Sequence, residues 1–420
     1  MIATPWSDVI VVGAGPAGAH LALRLARSGW RVMLLDAQRF PRRKPCGEFL
    51  SPACVPLLEE LELLDGLLEA GAVRVSGMRL STDTARAHGR YAALGPFRPA
   101  HGYGLGVRRE VLDTQAVEAA ARQPGVVVRT GWRAVEVLLD PSGRARGLRA
   151  RDPEGREHEL PARFVVGADG LRSRVATSLG WRAERTSAPR FALVARFEGT
   201  RPDDEAEVHL AGHDYFAACP LDGGLFTANL VLDRGEVPSR SEGLEQTFME
   251  RVARTPRLAA RLAGARLAEP VAAIGPLGTS TTRCAGPGAA LVGDACGFVD
   301  PLTGEGLYFA MQGARLLARA LDDALSGRAD EARALRGYER ARAAEIRPRQ
   351  TLARWLQVGL RRDGLPERVV AAFARHPGLF RLVLGLTGDY VPPRGVLSPA
   401  VWRSVLARGG GLRDAAPSGA

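Results

Sequence analysis

The run Asp8-Val9-Ile10-Val11-Val12-Gly13-Ala14-Gly15-Pro16-Ala17-Gly18 decides how the rest of the chain is read. Asp8 to Val12 reads as a short buried strand. Three glycines follow at G-x-G-x-x-G spacing, and Ala19 to Ser28 reads as a helix with Leu21, Leu23, Leu25 and Ala26 on its apolar side. A second strand, Arg31 to Leu35, ends on Asp36. Strand, glycine turn, helix and acid-terminated strand together predict a dinucleotide site. Gly13 admits the tight turn, Gly15 lets a diphosphate approach the backbone, and Gly18 lets helix and strand close together. Pro16 and Ala17, between the second and third glycines, are counted with the cofactor contacts, and the unpaired N–H groups and dipole at the helix N-terminus favour the negative diphosphate. Asp36 stands where a carboxylate accepts hydrogen bonds from the adenosine ribose.

Downstream, Arg39 to Pro52 is a loop with three consecutive cations, Arg42, Arg43 and Lys44, then Pro45, Cys46 and Gly47. Its position after Asp36 sets it beside the dinucleotide, where the cations neutralise phosphate and Cys46 and Gly47 approach the cofactor ring. Lys44 is the only lysine in the chain, so its compact ammonium is retained where arginine serves everywhere else. Val55 to Leu68 reads as one amphipathic helix. Gly77 to Tyr103 reads as a hairpin excursion, and Val107 to Ala121 as a helix. Ala134 to Leu139 and Gly147 to Arg151 read as antiparallel strands. Arg163 to Val166 is a buried strand running into Gly167-Ala168-Asp169-Gly170, a polar turn suited to phosphate or ribose. Phe191 to Leu232 alternates like sheet strands, and Glu242 to Leu262 is helical. Ala289 to Ala295 is a buried strand carrying Gly293 and Asp294. The glycine-rich loop Cys296 to Gly306 leads into the helix Leu307 to Ala324, a second site for negative charge. From Arg328 the chain is helical, with breaks expected at Pro348, Gly364-Leu365-Pro366, Pro377-Gly378 and Pro392-Pro393. The end after Gly409 is expected to fray.

These elements predict an α/β fold: a Rossmann-like nucleotide domain with a parallel sheet, a β-rich substrate domain and a C-terminal helical segment. The nucleotide domain is discontinuous, over 1–76, 104–180 and 284–345. The substrate domain takes 77–103 and 181–283, and the helical segment 346–420.

The chain has 420 residues, 46% of them hydrophobic, and a net charge of +11. The positive charge is scattered arginine rather than a stripe, which argues against nucleic acid as partner. No run approaches the ~18 apolar residues of a membrane span, and no basic-then-apolar leader opens the chain. The apolar stretch Leu379 to Leu386, set among arginines, would either rest on a membrane surface or cover the core, and internal packing is expected. The five cysteines, Cys46, Cys54, Cys219, Cys284 and Cys296, show no C-x-x-C pair and no metal spacing, so reduced thiols in a cytoplasmic protein are expected. The histidines do not cluster at ligand spacing. No metal site is expected, and the oligomeric state is left open.

Three motifs coincide in order and spacing: the N-terminal glycine turn, Gly167-Ala168-Asp169-Gly170, and Gly293-Asp294 followed by Pro301 and Gly304-Glu305-Gly306. Together they resemble the FAD-dependent aromatic hydroxylase superfamily, with the para-hydroxybenzoate-hydroxylase-like fold, over about residues 8 to 325. The superfamily spans monooxygenases, flavin halogenases and geranylgeranyl reductases. The resemblance implies that Gly13, Gly15 and Gly18 cradle the FAD diphosphate and Asp36 the ribose. It places Arg109, opening an "R-x-x-L-D" helix, at the flavin side, and Val135 near adenine. Asp169 would touch FAD and take part in NAD(P)H use, and Asp294 would bond the ribityl chain. Gly304, Gly306 and Leu307 would bring backbone N–H groups to the flavin pyrimidine edge, where reduced flavin is negative.

The loop Lys44 to Glu48 with Ser51-Pro52, and the form Gly304-Glu305-Gly306, resemble the geranylgeranyl reductase branch. The halogenase branch fits less well. Its tryptophan motif would fall near Tyr215 to Pro220, where there is no tryptophan, and its lysine near Arg74. The resemblance leads us to expect an FAD enzyme, with NADPH or NADH as electron donor, acting on a small organic molecule. The leading expectation is a monooxygenase that hydroxylates an aromatic or polyketide-like substrate through a flavin peroxide. The alternative is a reductase of isoprenoid or other alkene bonds, in which Cys46 would be the proton donor. In the hydroxylase, Cys46 would only fill space. A flavin-binding partner without catalysis is the third reading.

Overall fold

The computed structural model describes residues 7–183, 190–238, 242–298 and 301–406. The strand Ser7–Val12 is buried along its whole length and lies at the centre of a parallel sheet. Val9 to Val12 pair with Val32 to Leu35 on one side and with Phe164 to Gly167 on the other. Val126–Thr130 continues the sheet beyond Val32–Asp36, and Ala289–Leu291 beyond Glu157–Gly167. Burial on both faces explains the unbroken apolar run. Val9 and Val11 face one core cluster, with Leu21, Leu25, Met311 and Leu317, while Ile10 and Val12 face another, with Val165, Trp181 and Leu291. Helix Pro16–Arg27 packs against Gly306–Leu325 and Arg109–Ala121. Both glycine loops are thereby held at one end of the sheet.

A second sheet is ordered Arg266–Leu267, Arg190–Glu198, Phe226–Asp233, Asp214–Pro220, Glu205–Ala211, Gly77–Ser81 and Arg86–Arg90. The excursion Gly77 to Arg90 therefore joins strands from the later segment, in parallel with Glu205–Ala211. One face of this sheet packs Leu193, Phe216 and Leu230 against Phe248, Val252 and Leu258 of the helices Glu242–Ala253 and Pro256–Arg261. The other face lines a cavity.

Several local expectations are corrected. Val55 to Leu68 is two short helices, Cys54–Glu59 and Leu64–Glu69, parted at Glu62 with φ 59°. The break is tertiary in origin: the Arg27 guanidinium donates to the carbonyls of Glu60 and Leu61 at 2.9 and 3.2 Å. Pro348 does not end a helix, because Glu331–Leu360 runs straight through it and across the expected 345/346 boundary. The next residue, Arg349, is buried and clamped by carboxylates, which offsets the bond that proline removes. Cys284 and Cys296 form a disulfide with Cα atoms 5.5 Å apart, so three thiols are free rather than five. The turn between Ala285–Gly286 and Ala289–Leu291 folds the chain back on itself to bring them together.

Leu379 to Leu386 falls in the helix Pro377–Thr387, where Phe380, Leu382, Leu384 and Leu386 are buried. Phe380 and Leu384 pack with Ala87 and Tyr91 of the second sheet's edge. Among the described residues no single helix is long and apolar enough to cross a membrane. The end after Gly409 and Asp300 of the glycine-rich loop lie outside the described residues.

Candidate functional site

The glycine turn is built as its spacing requires. Gly13 has φ 98°, a backbone state that side chains rarely adopt. Gly15 is the N-cap of helix Pro16–Arg27, and no side chain caps it, so the first N–H groups of the helix are left for a ligand. Two guanidinium groups stand over Gly15. A Cβ built there lies 3.5 Å from Arg109 Nη2 and 3.6 Å from Arg42 Nη2. Asp113, fully buried, holds both: it accepts from Arg109 Nε and Nη2 at 2.8 and 2.6 Å and lies 3.3 Å from Arg42 Nη1. Burial works against the Arg109 charge, but Asp113 and Cys46 outweigh it and raise its pKa above the usual arginine value. An uncapped helix start beneath two fixed cations fits a diphosphate.

Asp36 accepts from the backbone N–H of Ala14 at 2.8 Å and of Gln38 at 2.8 Å, and Arg42 lies 3.5 Å away. The acid thus braces the glycine turn as well as ending its strand.

Lys44 and Asp294 face each other across the cofactor side of the cavity. Burial and the neighbouring Arg109 push the Lys44 ammonium down, while Asp294 opposes the shift. Burial pushes the Asp294 carboxyl up, opposed by Lys44 and Arg109. Each partly offsets the other's burial where both line the cavity, a place a lone lysine would serve. Beside them Gly304 (φ 71°) and Gly306 lead into the helix Gly306–Leu325, whose start again has no side-chain cap. The site therefore carries two helix N-termini, one for a diphosphate and one for a ring edge that becomes negative on reduction. These residues fit FAD.

Thirteen of the expected contact residues line one cavity: Gly15, Pro16, Ala17, Lys44, Cys46, Gly47, Arg109, Gly293, Asp294, Pro301, Gly304, Gly306 and Leu307. Gly13, Gly18, Asp36, Val135 and Asp169 do not line it. Gly13 and Gly18 act by packing. Val135 is half-buried on the strand Arg133–Leu139. The Asp169 carboxylate is used within its own turn, accepting from Ser173 Oγ at 2.6 Å and from the N–H groups of Arg174 and Val175 at 2.6 and 3.3 Å. Its neighbours Ala168 and Gly170 are the ones that reach the cavity.

Sequence reasoning missed an ion cluster behind the cysteine loop. Glu48, at φ 58°, accepts from the backbone N–H of Arg109 at 2.9 Å and from Arg196 Nε and Nη2 at 2.9 and 2.5 Å. Arg196 also bonds Glu110 and meets Glu269. Burial raises the Glu48 pKa, and Arg196 opposes the rise. The only local signal was an acid beside Cys46-Gly47; its partner is far along the chain.

The cavity floor is one face of the second sheet. Met78, Ala206, Val208, Ala217, Asn229, Val231, Ala192, Val194 and Ile274 lie on neighbouring strands in register. Asn229 is the one polar side chain among these, and its amide donates to the Ala217 carbonyl at 3.0 Å. Phe49, Leu277, Phe298 and Leu302 close the sides.

The family described as FAD binding domain matches residues 7–350. The menaquinone reductase of Mycobacterium tuberculosis (strain H37Rv) is 32% identical over 328 residues, covering 75% of this chain and 76% of that protein. The digeranylgeranylglycerophospholipid reductase 2 of Methanopyrus kandleri is 28% identical over 351 residues, covering 79% and 81%. The structure of the myxobacterial chondrochloren halogenase, an FAD-dependent halogenase, superposes with a TM-score of 0.76 at 27% identity, covering 96% of each chain.

Proposed function

We propose, from the premise that this chain belongs to the FAD-binding domain family and is an FAD-dependent oxidoreductase, that it reduces an alkene bond in an apolar, isoprenoid-like molecule. The apolar sheet floor is the observation that carries this reading. A cavity whose walls are Met78, Val194, Val208, Val231, Ile274 and Leu277 selects by shape and desolvation. Away from the cofactor side its charged lining residues are Glu48 and Glu207, and both are already engaged, Glu48 by Arg196 and Glu207 by His209, Arg79 and Arg261. Similarity to two reductases, at 32% and 28% identity, supports the same choice. This reverses the order of the two reactions expected from sequence.

The chemistry needs a hydride and a proton added to the two alkene carbons, and bound FAD supplies the hydride after reduction by NADPH or NADH. The protein supplies the rest. Arg42 and Arg109 hold the diphosphate, and Lys44 and Asp294 fix the cofactor side of the cavity. Cys46, partly exposed and lining the cavity beside Arg109, gives the proton on Sγ to the second alkene carbon. The apolar floor keeps water from the reacting carbons.

Hydroxylation is the competing reaction, because an aromatic ring would also lie on this floor. Halogenation is disfavoured: the residue at the expected lysine position, Arg74, is exposed on the strand Val73–Val75 with its guanidinium over the Tyr103 ring. Anaerobic reduction with NADPH followed by a polyprenyl alcohol, with and without O₂, tests the reading. A product two hydrogens heavier supports it. A product one oxygen heavier, formed only with O₂, overturns it.

An isoprenoid-like substrate partitions into lipid. The C-terminal helices expose Trp355, Val358, Leu397, Trp402 and Leu406 among arginines such as Arg354, Arg361 and Arg403. We place the peripheral membrane contact on these side chains rather than on the buried stretch Leu379 to Leu386.

A further inference from the structure

The loop that faces the flavin carries an acid that does not face it. Gly304 and Gly306 line the cavity, whereas Glu305 between them does not; its side chain is buried in the opposite direction. There it meets the C-terminal helical segment. Arg349 Nη1 lies 3.9 Å from Glu305 Oε1 and 3.2 Å from Asp389 Oδ1, so one nitrogen bridges both acids. The second nitrogen reaches Glu345 at 3.3 Å and donates to the Asp389 carbonyl at 3.2 Å.

The charges do not balance if every acid is ionised. Glu305, Asp389 and Glu345 surround a single guanidinium, with Arg349, Glu305 and Asp389 all buried. Glu345 is a third exposed, but the buried Glu305 and Asp389 still carry one negative charge more than Arg349 offsets, which is costly, and a retained proton removes it. Asp389 Oδ2 accepts from Ser51 Oγ at 2.7 Å, whereas Asp389 Oδ1 has the Arg349 ion pair but, among the described residues, no hydrogen bond of good geometry. A proton held between Oδ1 and Glu305 satisfies both carboxyls at once. Burial raises both acids, and the bond between them favours a protonated Asp389 beside an ionised Glu305. The other polar groups around the pair are Thr303 on the loop, Tyr308 on the helix it opens, and Cys54 and Tyr91. Tyr308 donates to Glu345 at 2.7 Å and so is engaged elsewhere.

The backbone around Asp389 is held for this contact. Asp389 has φ 66°, uncommon for a residue with a side chain, and the preceding Gly388 carbonyl accepts from the Ala53 N–H at 3.2 Å. The cluster therefore ties together the segment after the cysteine loop, the flavin loop and the C-terminal helices.

We propose that Glu305 and Asp389 share one proton and, clamped by Arg349, act as positioning residues that fix the loop Thr303 to Gly306 for FAD. The role is independent of which reaction the cavity performs.

The test is FAD binding to apo-protein, followed by flavin fluorescence, together with the flavin midpoint potential and the infrared carbonyl band of a buried protonated carboxyl. Asp389→Asn keeps a donor toward Glu305 and should hold FAD within about threefold of the native protein while losing the carboxyl band. Asp389→Ala removes the bond and should weaken FAD about tenfold or more, the effect of one buried charge-assisted bond, and shift the potential. An Asp389→Ala protein with native FAD affinity and potential overturns the proposal. So does a carboxyl band that survives unchanged in Asp389→Asn, a variant whose FAD binding shows that it is folded.

Discussion

A methyl group on Gly18 would stand 1.8 Å from the carbonyl oxygen of Gly13. At Gly15 the nearest atoms are the ends of two flexible arginines, at 3.5 and 3.6 Å. The glycines of one motif therefore serve different ends, and substitution separates them. Gly18→Ala should destabilise the fold by at least ~3 kcal/mol, since backbone and not a side-chain tip must move. Gly15→Val should leave thermal unfolding of the apo-protein nearly native and abolish FAD binding. Full FAD occupancy in Gly15→Val would refute the diphosphate assignment.

Asp294→Ala should weaken FAD retention more than Asp233→Ala does. Asp233 ends the strand Phe226–Asp233 and pairs with Arg361 at 2.7 Å away from the cavity. Asp294 lies in the short 3-10 turn Gly293–Cys296 and lines the cavity with Lys44. The strand before that turn, Ala289–Leu291, is shorter than the expected Ala289 to Ala295. Gel filtration in dilute buffer, with flavin absorbance read in the protein peak, compares the two. Equal retention would remove Asp294 from the cofactor contacts.

Cys46→Ser distinguishes a proton donor from a packing residue. In the proposed reductase, loss of the acid should lower product formation by ~10²–10⁴-fold, the usual span for general acid–base catalysis. Flavin reduction by NADPH, read at its visible absorbance, should stay close to native because the thiol takes no part in it. A loss of tenfold or less would return Cys46 to a space-filling role and favour hydroxylation.

His20 supplies a pH prediction. It is fully buried in the helix Pro16–Arg27, and neither ring nitrogen has a hydrogen-bond partner among the described residues. Burial, assisted by Arg24 and opposed by Asp113, pushes it down to about 3 from 6.5. Below pH 6.5 the unfolded chain takes up a proton that the folded chain refuses. Stability is therefore lost as pH falls through the window from about 6.5 to 3, at ~1.4 kcal/mol per pH unit. His20→Leu removes this term. Denaturant unfolding at pH 6.5 and 5 should show the variant gaining about 2 kcal/mol on the native protein across that interval. Parallel pH profiles would show that His20 is not the source.

Sedimentation with anionic phospholipid vesicles at physiological salt tests the proposed membrane contact. The native protein should co-sediment, and replacing Trp355 and Trp402 with serine should weaken this at least about tenfold, since each aromatic buries a large apolar area at an interface. Unchanged binding of the double variant would put the contact elsewhere.

What the sequence by itself determined is what repeats over a few residues. The apolar run Val9 to Val12, the glycines at 13, 15 and 18, and Asp36 at the end of the next strand predict a buried parallel strand and a nucleotide turn, because backbone sterics and burial act locally. The antiparallel strands Ala134 to Leu139 and Gly147 to Arg151 and the helix after Gly306 were legible on the same grounds. Tertiary structure alone decided the partners of buried charges. Glu48 and Arg196 are 148 residues apart and meet behind the cysteine loop. Arg42 turns back onto Gly15, and Cys284 reaches Cys296 because a strand pair folds between them. Pro348 was read as a helix end because its missing N–H is a local fact, and the carboxylates that hold Arg349 beside it are not. The floor of the cavity, too, exists only once six strands fall into register. A charge cluster or a cavity wall is made by pairing across the chain, and such pairing leaves no period in the sequence to read.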